Sequence, residues 1–329
     1  MVQALFAELV GQPTAISLLC RAIQQGRIAP AYLFAGSAGV GRRLAAECFT
    51  EALFTVGRGR SLGLGPDSGR RRRIRQRNHP DLLWVEPTYL HQGKLIPASE
   101  AEAQGVKRKS PPQIRLEQVR QVAQFLSRPA LEATQAVVVI EGAETMAEGA
   151  ANGLLKTLEE PGQATIILLA PGPQALLPTL VSRCQTIPFG RLNPTDMAAV
   201  LGQAGQEDVL NHPQVLALAQ GSPGQGIQAY QQLQAIPAEL MTALHTPPNS
   251  LRQALELGRQ VAKTLDPEAQ LWLLDYLLHW YWRTYPLESA RWLPQLEQAK
   301  GYLRRFVQPR LVWEVMLMAV WQGYAGVTP

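Results

Sequence analysis

Cysteine is scarce in this chain: Cys20, Cys48 and Cys184 are the only three in 329 residues, widely spaced and without a CxxC pair. An odd, scattered set excludes a disulfide framework and predicts a reducing, cytoplasmic setting. Long apolar runs are missing too. None approaches the roughly 18 residues that a membrane span needs, so no membrane partner is expected. The opening MVQALFAELVGQ carries Glu8 inside its apolar part and has no basic start, which argues against a signal peptide. Charge outside one segment is also thin. Residues 57–77 hold eight arginines against Asp67 alone, an excess of seven positive charges. With a net charge of +5 for the whole chain, the remainder carries −2. The body of the protein is close to neutral.

That basic segment, GRGRSLGLGPDSGRRRRIRQR, is rich in Gly and Arg and low in complexity, which predicts disorder rather than packing. Two readings of Arg70, Arg71, Arg72 and Arg73 stay open: a solvated loop, or a salt-sensitive, sequence-indifferent contact to nucleic-acid phosphates. His79-Pro80-Asp81 follows as a turn. Residues 94–110 read as a second flexible insertion, and 114–126 as a helix with Val119, Val122 and Leu126 on one face.

What is present is a generous core, 46% hydrophobic residues in a length that suits two or three domains. The chain is organised around residues 136–184. The β-branched run 137–140 suits a strand buried on both faces of a parallel sheet. Ala150, Leu154, Leu155 and Leu158 then recur at helical spacing, and Glu159, Glu160 and Pro161 stop the helix. A second apolar run, 166–170, completes a βαβ unit. The stretch ends in Ser182-Arg183-Cys184, which places the Arg183 guanidinium on an edge where it can serve a neighbouring molecule.

Earlier, 31–35 reads as a strand followed by GSAGVGRR at the start of a helix. Strand, glycine loop and helix is the setting of a phosphate loop, with Gly36, Gly39 and Gly41 where backbone bends sharply and offers N–H groups to phosphate. A working loop places Lys and then Ser or Thr after its last glycine. Here Arg42 and Arg43 stand there. A planar guanidinium does not replace a threaded ammonium, and Arg43 has no oxygen for Mg²⁺.

Beyond Phe189 the pattern turns helical. Asn193, Pro194, Thr195 and Asp196 signal a helix start, and short helices flank Gly221-Ser222-Pro223-Gly224. Breaks at Pro237 and at 246–249 lead to a last helical region, where LWLLDYLLHWYW (271–282) is apolar almost all round. Six of the seven tryptophans lie from Trp272 onward, and core packing accounts for most of them.

AANGLLKTLEEP, a strand and then SRC, together with the glycine-loop block, resemble the clamp-loader branch of the AAA+ ATPases. The resemblance implies an α/β fold: an AAA+ P-loop-type parallel sheet domain (1–188), a small helical lid (189–236) and a C-terminal all-helical collar (237–329) that serves assembly. It implies a strand ending in Asp-Glu, where this chain has Glu141-Gly142. It also implies an Arg in the fourth place of the GSPG block, where Gly224 stands. A four-cysteine zinc module common in relatives has no ligands here, so no zinc is expected. The glycine-loop site is a degenerate one, with no cofactor expected beyond residual ATP or ADP binding.

The SRC block resembles the segment from which clamp loaders supply an arginine finger. Arg183 is then the finger in trans, Ser182 turns the backbone and Cys184 packs. The alternative is that Arg183 pairs with a local carboxylate. The implied role is a non-hydrolysing stator beside motor (gamma/tau) and delta subunits in a hetero-oligomeric ring that loads a sliding clamp onto primed DNA. The competing class is a self-sufficient AAA+ ATPase, either a clamp-loader motor or a branch-migration helicase. Such an enzyme needs the Lys, the hydroxyl and the catalytic Glu that are missing.

Overall fold

The computed structural model describes residues 2–56, 68–101, 103–105, 111–160 and 162–326. The chain divides into two compact units, Met1–Met197 and Ala198–Pro329.

The first unit holds seven strands, β1 (Ala31–Ala35), β2 (Leu82–Val85), β3 (Thr88–His91), β4 (Lys94–Pro97), β5 (Ala136–Glu141), β6 (Ala164–Ala170) and β7 (Gln185–Pro188), among the described residues. The helices are α1 (Pro13–Gln24), α2 (Arg42–Val56), α3 (Ser68–Arg75), α4 (Leu116–Leu126), α5 (Glu148–Glu159) and α6 (Pro178–Val181); α7 (Pro194–Gln203) crosses the boundary between the units. Five strands form one parallel sheet in the order β2-β5-β6-β1-β7. Val137, Val138, Val139 and Ile140 are fully buried, as a strand covered on both faces requires. Tyr32 and Phe34 pack their rings against Phe49 of α2, with centroids 5.1 and 6.3 Å away. On the other face Leu33, Val138 and Ile166 join Val122 of α4 and Leu154 of α5 in one cluster. Crossover helices on both faces are what a parallel sheet demands, and the sheet's C-terminal edge is left to form a site.

The segment expected to be loose differs in two places. Residues 68–75 form α3, a helix held by carboxylates distant in sequence. Residues 94–97 are a strand, β4, paired antiparallel with β3 in a hairpin separate from the main sheet. Residues 57–67 with Arg58 and Arg60, the basic run Lys107, Arg108 and Lys109, and Pro161 lie outside the described residues.

The second unit is helical: α8 (Pro213–Ala219), α9 (Pro223–Ala235), α10 (Ala238–His245), α11 (Leu251–Thr264), α12 (Pro267–Thr284), α13 (Leu293–Arg304) and α14 (Pro309–Ala325). Ser222, Ser250 and Asp266 cap α9, α11 and α12 through their side-chain oxygens. A Cβ on Gly258 would lie 2.8 Å from the Glu314 nitrogen, so glycine there lets α11 and α14 approach closely. Trp292 and Trp313 are fully buried; the Trp313 indole donates to Gln270 (2.9 Å), whose amide in turn donates to the Leu265 carbonyl. Trp272, Trp280 and Trp321 pack against the same core, whereas Trp282 is 61% exposed. No described helix is long and apolar enough to cross a membrane.

Candidate functional site

The glycine loop leaves β1 at Ala35. The Gly36 N–H donates to the Ala170 carbonyl (3.1 Å), and a Cβ there would stand 2.5 Å from the Phe189 carbonyl oxygen. Only glycine fits. Gly39 (φ +77°) and Gly41 (φ +102°) occupy backbone conformations that disfavour a side chain. Gln12, buried and unremarkable in sequence, stitches the loop down by donating to the carbonyls of Val40 (3.1 Å) and Gly190 (2.7 Å) and accepting from the Gly190 N–H. The phosphate-loop shape is therefore fully built, with α2 starting at Arg42.

The side chains around it do not follow that shape. A cleft of about 400 Å³ is lined by Gly39, Gly41, Arg42, Arg43, Glu47 and Glu141, among others. Burial pushes the Arg42 guanidinium below its ordinary value, against the carboxylates of Glu144 and Glu141, and its Nη1 has no hydrogen-bond partner. Arg43 pairs with Glu47 (3.4 Å) and also approaches Glu141 (4.0 Å). Glu141, at the end of β5, accepts the Trp84 indole N–H at 2.9 Å and lies 3.6 Å from Arg77. The Arg43 and Arg77 guanidinium carbons sit 5.6 and 5.2 Å from the Trp84 ring. Two cations, an indole and the strand-end carboxylate thus satisfy one another. Next to them Gly142 adopts φ +65° and presents no side chain to a water. With no hydroxyl at the head of α2 and Glu141 already engaged, these residues do not fit a Mg²⁺-bound nucleotide.

Arg77 and Trp84 are site residues that sequence reading passes over. Arg77 takes the left-handed conformation (φ +57°) that ends α3, and its N–H donates to the Ile74 carbonyl. Its other arm bonds Glu86 at 2.8 Å. Of the four arginines weighed as phosphate contacts, Arg71 bonds Glu51 (2.7 Å) and Glu8 (2.9 Å), and Arg73 forms a two-pronged pair with Glu132 (2.8 and 3.0 Å). Arg70 donates to Thr55 (3.0 Å), while Arg72 is exposed. His79 is buried, stacks on Phe54 at 4.5 Å and accepts the Asp81 N–H on Nδ1. Burial and the nearby Arg73 charge keep its pKa below the ordinary histidine value. Among the described residues no three His, Cys, Asp or Glu gather as a metal-ligand set.

The other candidate, Arg183, lies at the opposite end of the sheet. The cleft sits beyond the C-terminal ends of β1 and β5, whereas Arg183 just precedes the start of edge strand β7. At about 3.3 Å per residue the separation along the strands is roughly 15 Å. The guanidinium donates to the Thr179 carbonyl (2.9 Å) and to Glu159 at the end of α5 (2.6 Å); both partners of that ion pair are solvent-accessible, at 36% and 52%. Ser182 bonds the Thr179 carbonyl and ends α6. Burial pushes the Cys184 thiol up to about 11, so it stays protonated and packs beside the β-sheet core. Gly224 is in the first turn of α9, in the second unit.

Residues 11–193 match the family model described as DNA polymerase III, delta subunit. Residues 195–320 match that of the cyanobacterial DNA polymerase III delta prime, C-terminal domain. The chain is 33% identical over 204 residues to DNA polymerase III subunit delta' of Bacillus subtilis, covering 61% of this chain and 53% of that protein. It is 32% identical over 212 residues to the subunit delta' of Pseudomonas aeruginosa, covering 61% and 57%. Similarity to the DNA polymerase III subunit tau/gamma of Haemophilus influenzae is 27% over 222 residues, 67% of this chain and 29% of that one. The chain spans little more than half the length of the two delta' relatives it matches.

Proposed function

The chain belongs to the DNA polymerase III delta-subunit family, and from that premise we propose that it serves in the clamp loader as a stator of the delta' kind, which hydrolyses no ATP itself and lends Arg183 to the ATP site of a neighbouring motor subunit. The observation that carries the reading is the pairing of opposites across one sheet. At the C-terminal edge the carboxylate that would hold a metal is tied to Trp84 and Arg77. At the N-terminal edge an arginine faces solvent roughly 15 Å away, too far to serve its own cleft. A guanidinium so placed acts on another molecule. Its two-pronged donors suit a transferring phosphoryl group, whose charge in the transition state an arginine from a neighbour can neutralise.

The same reading takes 189–236 as a lid and 237–329 as the collar through which the subunit joins gamma/tau and delta partners in a ring. An apolar groove of about 270 Å³ between α13 and α14, with Tyr302, Leu311 and Val315 on its walls, supports the collar role. Through that ring the subunit takes part in opening a sliding clamp and closing it around primed DNA.

Purified chain alone is expected to turn over ATP no faster than a blank. Turnover above the blank that falls on Glu141→Gln would mark an intrinsic ATPase and overturn the stator reading.

A further inference from the structure

A second cleft in the second unit lies away from the α13–α14 groove. It measures about 610 Å³ and opens between α9, α12 and α13. Trp272, Asp275, His279 and Trp282 recur along α12 at steps of three and four, so they form one stripe along a single wall. Gln225 and Gln228 of α9 and Glu297 of α13 face them, and no Lys or Arg among the described residues lines the cleft. Asp275 is shared with Lys300, but Glu297 is exposed and has no ion-pair partner among the described residues. The His279 ring lies 6.2 Å from that of Trp282, and its Nε2 is shielded without a partner. Trp282 stands 61% exposed at the rim, a large apolar surface left in water by a chain that buries Trp292 and Trp313 completely.

Indole faces beside an unpaired carboxylate and free amides are the surroundings a guanidinium favours. Its plane stacks on one such ring while its N–H fork engages the carboxylate. The volume falls in the usual range for a ligand pocket, roughly 300–1,000 Å³, and leaves space around a single guanidinium for neighbouring residues. The unpaired Glu297 carboxylate favours a cationic occupant over an anionic one. Tryptophan and arginine are also the residues that most often anchor protein interfaces.

We propose that this cleft is a docking site for a partner polypeptide segment that lays an arginine against the exposed Trp282 ring, with Glu297 as its counter-ion. The site is independent of Arg183 and of the nucleotide cleft.

The test uses full-length chain with ¹⁵N-labelled tryptophan, the indole signals being assigned by Trp272→Phe and Trp282→Phe. N-acetyl-argininamide is expected to shift the Trp282 signal saturably, while the isosteric neutral citrulline amide does not. Glu297→Gln, an exposed change that leaves the fold intact, should weaken binding about fivefold, and Trp282→Ala should weaken it by at least as much. A five-residue peptide with a central arginine should bind about tenfold more tightly than the single amide, because its flanks reach Leu218 and Leu293. A Trp282 signal that does not move, that responds equally to citrulline, or that is indifferent to Glu297→Gln would overturn the site. Equal affinity for amide and peptide would overturn the polypeptide occupant.

Discussion

Arg71 and Arg72 are neighbours in one run of four arginines, yet their surroundings differ sharply. Arg71 is the partner of Glu51, a carboxylate 2% exposed whose second oxygen has no bond. Arg72 points to solvent. Removing the partner of a buried charge costs roughly 3–5 kcal/mol, whereas an exposed substitution away from such features stays within about 0.5 kcal/mol. Arg71→Ala should therefore destabilise the chain by about 3 kcal/mol, and Arg72→Ala hardly at all, in urea unfolding followed by circular dichroism. Equal effects would mean that α3 is not anchored through Glu51. Composition alone could not sort these residues, because four identical letters carry no information on which carboxylate each will meet. The glycines were more legible. Gly36, Gly39 and Gly41 are recognisable because backbone shape, unlike an ion pair, is encoded locally. Trp84 and Arg77 escaped notice since their significance arises only when β2 and the end of α3 are brought beside Glu141.

The same distinction holds for whole elements. Strands β1, β5 and β6 were readable as apolar runs, since a parallel strand buried on both faces needs nothing else to declare itself. Helix α3 and the β3–β4 hairpin were not, because short polar elements owe their order to partners far along the chain. Glu8 and Glu132 are 63 and 59 residues from the arginines they bind. The HPD turn shows how much such long-range contacts hold. Asp81, buried, accepts the N–H groups of Leu131 (2.6 Å), Glu132 (2.8 Å) and Ala133 (2.6 Å) and so ties the 131–133 loop to the start of β2. Burial acts to raise its pKa, but the three N–H donors outweigh it and hold the carboxyl below its ordinary value. The sign follows from linkage. A depressed folded-state pKa gives stability that is complete above the unfolded value, about 3.9, and is lost as pH falls through the folded one. Asp81→Asn should cost roughly 2 kcal/mol at pH 7, and the gap from wild type should narrow below about pH 4. A gap independent of pH in thermal melts would show that the carboxylate charge is not what holds the loop.

At the largest scale, the parallel sheet of the first unit places the glycine-loop cleft and Arg183 at opposite ends of its strands. The cleft end retains the backbone of a phosphate site and has its acidic group neutralised by Trp84, Arg77 and Arg43. The other end carries Arg183, which donates to Glu159 and to the Thr179 carbonyl. Because both Arg183 and Glu159 are solvent-accessible, their pair is worth little, and an approaching phosphate can replace it without a large penalty. A purely structural Arg183 would tie α5 to α6 and affect folding or assembly when lost. An arginine donated to a neighbour would affect only the chemistry of that neighbour. The deciding measurement is ATP hydrolysis by a reconstituted clamp loader, stimulated by clamp and primed DNA, in which this subunit carries Arg183→Ala. The variant should fold and assemble like wild type, while turnover at the single site it faces drops by about three orders of magnitude or more, in line with the roughly 10³–10⁵ that such a finger supplies. Arg183→Lys should restore little of it. Undiminished hydrolysis at that site in an intact mutant complex would contradict the account.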